Sequence, residues 1–178
     1  MRKTSPLLLI VSSPSGAGKT TLCHRLLEQF SDLRFSTSHT TREPRPGEVD
    51  GEDYHFVSDD VFDRMVEDEL FLEWAWVHGR RYGTSRAEVR AAGAANKDLL
   101  FDVDFQGARQ IREQCPNAIG VFVLPPSIEE LQRRLRARGT ESEESLERRF
   151  SAALEEIENY KLFDYLVVNG KLDVAYDD

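Results

Sequence analysis

The run Leu7-Leu-Leu-Ile-Val-Ser-Ser13 and the turn after it, Pro14-Ser-Gly16-Ala-Gly18-Lys19-Thr20, decide the fold of this chain. An unbroken apolar run that ends in small residues is typical of a strand buried on both faces of a parallel sheet. After the glycines, Leu22, Leu26 and Phe30 recur at helical spacing. The order of strand, glycine-rich turn and helix therefore predicts the first unit of an α/β fold.

The rest of the chain continues this alternation. Further buried strands are predicted at 99–103 and 118–124, with helices between them. Residues 35–57 lack helical periodicity and contain prolines and glycines, so turns and short strands are expected there. Ser85 and Ser127 each precede a Glu by three residues, which predicts that they cap the helices that follow. The sequence thus predicts an α/β fold with a mainly parallel sheet.

Composition and charge narrow the class of protein. The 178 residues fit one domain, of which 40% are apolar and 31% charged. No apolar run approaches the roughly 20 residues that a membrane-spanning helix needs. The first apolar run is also too short for an export signal, so we expect a cytoplasmic protein without a membrane partner. A net charge of -9 argues against a nucleic-acid polymer as partner.

The segment Ser13 to Thr20 resembles the P-loop of nucleotide-binding proteins, whose backbone N–H groups and following helix cradle phosphates. Glycines let such a loop adopt positive φ, the lysine lies beside the β- and γ-phosphates, and the threonine hydroxyl binds Mg²⁺. The usual first glycine is replaced here by Ser13, which we expect to keep β-region angles. The resemblance implies ATP binding by Ser13, Pro14, Ser15, Gly16, Ala17, Gly18, Lys19, Thr20 and Thr21.

A second candidate site lies in residues 36–56, where Arg42 and Arg45 stand three apart in a proline-containing loop with Tyr54 downstream. Two arginines held in this way suit a phosphate monoester, which they would bind through charge-assisted hydrogen bonds. A solvated turn with free arginines is the alternative.

Residues 36–56 closely resemble the nucleoside-monophosphate-binding stretch of guanylate kinases, and the resemblance runs from the strand before the P-loop through Asn169. It implies a three-layer P-loop kinase core (1–34, 85–130 and 150–178), an inserted GMP-binding lobe (35–84) and a helical lid (about 131–149). The implied reaction is Mg²⁺-dependent transfer of the ATP γ-phosphoryl group to GMP. ATP and GMP are the expected partners, and the expected assembly is a monomer or a weak homo-oligomer.

By this resemblance the GMP phosphate is held by Arg42, Arg45, Tyr54 and Tyr82, and the base by Ser38, Glu73 and Thr84 beside Gly83. A carboxylate at Glu73 can accept both the N1–H and the N2–H of guanine, whereas the N1 lone pair of adenine would repel it. An ordinary exposed charge on a strand is the alternative for Glu73.

Two acidic residues, Asp102 and Asp104, end a predicted strand at the sheet edge where ligands gather in α/β folds. Being one residue apart, they are expected to face opposite ways and to have different roles. The resemblance implies that Asp102 faces the metal through water, near Thr20, and that Asp104 contacts the base or neighbouring backbone.

Residues 132–149 resemble the family's lid. Arg134, Arg138 and Arg149 match its phosphate-facing arginines, so the implied catalytic set is Lys19, Arg42, Arg134, Arg138 and Arg149. A helix surface tied by Arg–Glu pairs explains Arg133, Arg136 and Arg148 equally well. Two other functions stay open: a protein-interaction module without nucleotide chemistry, and a kinase for another nucleoside monophosphate.

Overall fold

Two sheets occur in the part of the chain that a computed structural model describes, residues 6–77, 79–137 and 143–177. The first sheet has the order β2-β7-β1-β8-β9 and the second has the order β4-β3-β6-β5. In chain order the strands are β1 (Leu8–Ser12), β2 (Leu33–Phe35), β3 (His39–Thr40), β4 (His55–Phe56), β5 (Phe71–Val77), β6 (Arg80–Ser85), β7 (Asp98–Asp102), β8 (Ile119–Leu124) and β9 (Tyr165–Val168).

The helices alternate with the strands of the first sheet, as predicted. They are α1 (Lys19–Gln29), α2 (Asp59–Glu67), α3 (Arg86–Ala94), α4 (Phe105–Gln114), α5 (Ile128–Ala137), α6 (Glu143–Glu158) and α7 (Leu172–Asp177), with a 3₁₀ turn at Asn159–Leu162. Within the described ranges, no helix combines the length and the apolar character that crossing a membrane requires.

The first sheet is parallel throughout its pairings, and its central strands are buried on both faces. On one face Ile10 packs in a cluster with Phe101 of β7 and Ile111 of α4. On the other face Val11 packs in a cluster with Leu22 of α1. Because successive side chains of a strand point to opposite faces, the apolar run of β1 supplies both clusters. The predicted three-layer α/β core is confirmed.

The second sheet is formed by residues between β2 and β7, in which β6 runs antiparallel to β3 and β5. Helix α2 packs against it through Phe62, whose ring centroid lies 4.5 Å from that of Phe71. The guanidinium of Arg81 ties the same helix to the sheet through Asp59 and Asp63. The turns and short strands expected for residues 35–57 are present here.

One of the two predicted helix caps is confirmed. The backbone N–H of Glu130 donates to Ser127 Oγ over 3.2 Å at the start of α5. Ser85 does occupy the position before α3, but its side chain makes no capping hydrogen bond. Glu88, the expected second half of that box, pairs instead with Arg34 of β2 at 2.8 Å. The capping-box prediction at Ser85 was therefore wrong, because a contact from a neighbouring strand takes the glutamate.

Candidate active site

The phosphate-binding loop lies between the end of β1 and the start of α1. Gly16 (φ 92°) and Gly18 (φ 93°) have positive φ, whereas Ser13, at the position of the replaced glycine, does not. A Cβ added at Gly18 would lie 2.4 Å from Asn169 Nδ2. That amide donates to the Ala17 carbonyl over 2.8 Å. Position 18 therefore needs glycine both for its backbone angles and for space.

The side chain of Lys19 reaches the carboxyl end of β7. Its Nζ forms an ion pair with Asp102 and donates to the Val103 carbonyl over 3.3 Å. Burial by itself would lower the pKa of Lys19, but the adjacent Asp102 carboxylate outweighs it, so the pKa lies above its ordinary value. Lys19 is thus a protonated side chain held in place beside the loop, and phosphate binding requires both its charge and its placement.

A carboxylate from the end of α6 also contacts this loop. Glu156 Oε2 accepts the backbone N–H of Ser15 over 2.9 Å, and Arg149 Nη2 lies 3.4 Å from Ser15 Oγ. Sequence reasoning missed Glu156. The spacing of seven residues, which places Glu156 on the same helix face as Arg149, could have indicated it.

On the acceptor side, Arg42 is enclosed by partners rather than free in a solvated turn. Its Nη1 and Nη2 donate to the two carboxylate oxygens of Glu48 over 2.9 and 2.8 Å, and its Nε donates to Tyr82 Oη over 3.2 Å. The guanidinium also lies 5.3 Å from the ring centroid of Tyr54. The hydrogen bonds to Glu48 raise the pKa of Arg42 above its ordinary value. The side chain of Arg45 is exposed, and its backbone N–H donates to Glu48.

Glu48 was missed at the sequence level as well. It binds Arg42 through both oxygens, in the arrangement by which arginine also binds a phosphate. Its position in a charge-rich loop gave no sign of this role.

Glu73 is buried on β5, with 4% of its surface exposed, which excludes an exposed strand charge. Burial raises the pKa of Glu73 to about 7, the nearby charge of Asp104 adds to the effect, and hydrogen bonding from Thr84 opposes it. Thr84 Oγ1 also lies 3.3 Å from Ser38 Oγ. Three of the predicted base-reading residues are therefore neighbours.

The two aspartates make different contacts, as expected from their spacing. Asp102 pairs with Lys19, whereas Asp104 caps α4. Asp104 Oδ1 accepts the backbone N–H groups of Gln106 and Gly107 over 3.0 and 2.9 Å, and its Oδ2 accepts Gln106 Nε2 over 2.9 Å. Most of the hydrogen-bonding capacity of Asp104 is thus directed at neighbouring backbone and side chain.

The phosphate loop and the acceptor residues line one cavity of about 300 Å³. Residues 13–16 and 18–20 line it on the loop side, Ser38, Arg42, Arg45, Tyr54, Glu73 and Tyr82 on the acceptor side, and Asp102 and Asp104 between them. Ala17, Gly83 and Thr84 are buried, and Thr21 is exposed on the first turn of α1.

The arginines of the predicted lid divide into two groups. Arg134 donates to the carbonyls of Asn169 and Ala17 over 2.9 and 3.3 Å, and also to Glu130. With Arg149 it thus reaches the phosphate loop, whereas Arg133 and Arg148 make the surface pairs expected of an Arg–Glu helix. Arg138 lies outside the described residues.

A magnesium ion would fit the donor set at the end of β7. Mg²⁺ is usually bound by one or two carboxylates together with substrate phosphates and waters, rather than by a cage of protein ligands. Asp102 supplies a partly exposed carboxylate beside the loop, and Thr20 supplies a hydroxyl on α1. In the described ranges no group of three or more His, Cys, Asp or Glu residues could hold a metal.

Comparisons with known proteins agree with this geometry. The family profile described as guanylate kinase matches residues 5–178. The chain is 52% identical over 171 residues to the guanylate kinase of Dechloromonas aromatica, covering 96% of this chain and 85% of that protein. It is also 51% identical over 173 residues to the guanylate kinase of Sphingopyxis alaskensis, covering 97% of this chain and 79% of that protein.

Comparison with solved structures indicates the same family as comparison with sequences. The crystal structure of guanylate kinase from Anaplasma phagocytophilum superposes with a TM-score of 0.79 at 31% identity, covering 98% of this chain and 82% of that one. The similarity therefore includes both the phosphate loop and the residues that face it across the cavity. Because sequence and fold agree over nearly the whole length, the chain belongs to the guanylate kinase family.

Proposed function

We propose that this chain transfers the γ-phosphoryl group of ATP to GMP, giving ADP and GDP, in the cavity between the phosphate loop and Arg42. One observation carries the proposal: two separate sets of groups suited to binding phosphate line the same cavity of about 300 Å³. A phosphoryl group can pass directly between two nucleotides only if their phosphates meet in one space.

On the donor side, residues 13–21 would hold the ATP phosphates, with Lys19 against the β- and γ-phosphates. Asp102 and Thr20 would hold Mg²⁺, which when bound offsets the charge of the transferring group. Arg134 and Arg149 already reach the loop and would support the same charge, with Arg138 as the third lid arginine. Residues 131–149 would act as the lid over residues 1–34, 85–130 and 150–178.

On the acceptor side, Arg42 would exchange Glu48 for the GMP phosphate, which Arg45, Tyr54 and Tyr82 would also contact. The guanine would then reach the far end of the cavity, where Glu73 can accept two adjacent N–H groups in its ionised form. Ser38, Thr84, Gly83 and Asp104 would shape this base site. Residues 35–84 would form the lobe that carries GMP.

Chemistry at this site requires little of the protein beyond positioning and charge. The attacking GMP oxygen is already ionised at neutral pH, so no side chain needs to remove a proton. Lys19 and the arginines would stabilise the charge that develops on the transferring group. Closure of the lid would exclude water, which would otherwise accept the phosphoryl group.

The test is an ADP-release assay with MgATP and each of GMP, AMP, UMP and CMP. We expect the highest kcat/KM with GMP. Higher turnover with AMP would refute the assignment of the acceptor. Absence of turnover with all four would favour a protein-interaction module, which the presence of Lys19 and the lid arginines argues against.

A further inference from the structure

We propose that Gln110 on α4 is a positioning residue that holds Glu73 in place for guanine selection. This inference rests on the proposed function, because it assumes that Glu73 reads the base. Gln110 is not among the residues that line the cavity, so we expect it to affect catalysis through its contact with β5.

The contact is a pair of hydrogen bonds between one side-chain amide and the backbone of one strand residue. Gln110 Oε1 accepts the backbone N–H of Trp74 over 3.1 Å, and Gln110 Nε2 donates to the Trp74 carbonyl over 2.8 Å. Strand β5 is the edge strand of its sheet, so its outward backbone groups need partners from elsewhere. The Gln110 amide supplies the donor and acceptor that a further strand would supply.

A second glutamine holds the other side of Glu73. Gln114, one turn further along α4, donates from Nε2 to the Leu72 carbonyl over 2.6 Å. The pairing of β5 with β6 is irregular between Phe71 and Glu73, so the ladder itself defines this segment less firmly. The two residues that flank Glu73 are therefore anchored to the same helix.

Helix α4 also approaches the Glu73 side chain directly. A Cβ added at Gly107 would lie 2.7 Å from Glu73 Oε2 and 3.1 Å from Val103 Cβ. Gly107 therefore allows the helix to form a wall against the carboxylate. Its backbone N–H donates to Asp104, which caps the helix at the edge of the cavity.

Together these contacts fix the position and orientation of Glu73 relative to α4. The N-terminus of α4 lies between the two proposed substrate sites. A carboxylate must lie in the plane of guanine to accept two N–H groups at once, so its selectivity depends on placement. Shifts of about 1 Å can cost up to about 10²-fold in rate.

The experiment replaces Gln110 with Met, which keeps the length and removes both hydrogen bonds. Glu113→Met, at an exposed position of the same helix, is the matched control. We expect Gln110→Met to lower kcat/KM for GMP by about tenfold, mainly through KM, and to change the Kd for MgATP by less than about twofold. Equal losses for both nucleotides, or no loss for GMP, would overturn the proposal.

A double-mutant cycle separates this proposal from the proposed function. In a Glu73→Gln background, Gln110→Met should cause little further loss, because groups that act through one another are not additive. Fully additive losses would show that Gln110 does not act through Glu73. If Glu73→Gln alone left GMP use intact, the base-reading role of Glu73 would fail first. A normal Gln110→Met beside an impaired Glu73→Gln would refute the positioning role alone.

Gly107→Ala keeps the proposal testable if Gln110→Met does not fold. The added methyl would displace the Glu73 carboxylate directly, while alanine is a better helix former than glycine. We expect a normally folded protein with a selective loss of GMP use. A Gly107→Ala enzyme with normal KM for GMP would count against α4 as the element that positions Glu73.

Discussion

Replacing Glu73 with Gln should stabilise the protein at alkaline pH while it impairs the use of GMP. The glutamate has 4% of its surface exposed, and burial raises its pKa to about 7 from an ordinary 4.5. A carboxyl group with a raised pKa costs stability above its unfolded pKa, because the unfolded chain loses the proton more readily. The cost therefore grows between pH 4.5 and pH 7 and is constant above pH 7.

The magnitude follows from the size of the shift. One pKa unit corresponds to about 1.4 kcal/mol, so a shift from 4.5 to about 7 costs about 3 kcal/mol at pH 8. At pH 5 most of the folded-state carboxyl is already protonated, and the cost falls to about 1 kcal/mol. Glutamine keeps the shape and the hydrogen bond with Thr84 but carries no charge.

Urea unfolding followed by circular dichroism, at pH 8 and at pH 5, measures the difference between Glu73→Gln and the parent chain. We expect the variant to be more stable by about 3 kcal/mol at pH 8 and by about 1 kcal/mol at pH 5. A variant that is less stable at pH 8, or a difference in stability that does not change with pH, would refute the conclusion that burial raises the pKa of Glu73. Ser151→Ala, at an exposed position of α6, serves as a control without a charge change, and its effect should not vary with pH.

Three further results are expected. Because GMP requires the ionised form of Glu73, the KM for GMP should rise as pH falls below about 7, by up to about tenfold per unit, whereas the KM for ATP should not follow it. Lys19→Ala should lower kcat by about 10²–10³-fold in steady-state assays, and near-normal turnover would contradict its place in the loop. Glu156→Gln removes a negative charge from the Ser15 N–H, so MgATP should bind several-fold more tightly in calorimetry. Weaker binding by that variant would mean that Glu156 shapes the loop instead.

Much of the fold follows from local pattern. The apolar run of β1, the glycines and the amphipathic start of α1 are neighbours in sequence, and their interactions are short-range. Ser127 was predicted correctly as a cap because a capping hydrogen bond also spans three residues. The failed box at Ser85 shows the limit, since Arg34 takes Glu88 from 54 residues away.

Residues of the candidate site could be predicted only where they belong to a recognisable sequence motif. Lys19, Arg42 and Glu73 were predicted in that way, mostly through the family resemblance. The contacts of Glu156 with Ser15 and of Gln110 with Trp74 join residues 141 and 36 positions apart, and depend on how helices dock. A glutamine or glutamate on a helix surface looks alike in sequence whether it meets solvent or another element.

The structure also explains how a chain with a net charge of -9 can bind two polyanions. Three of the groups proposed to bind phosphate are each held by an internal carboxylate: Lys19 by Asp102, Arg42 by Glu48, and the Ser15 N–H by Glu156. Substrate binding at these groups is thus an exchange of one anion for another. These cations and N–H donors have already lost their water to an internal partner. Their desolvation free energy is therefore offset during folding and does not oppose substrate binding. A displaced Glu48 or Glu156 would lie close to the phosphate that replaces it, and the repulsion between the two anions would limit affinity and favour release of the product.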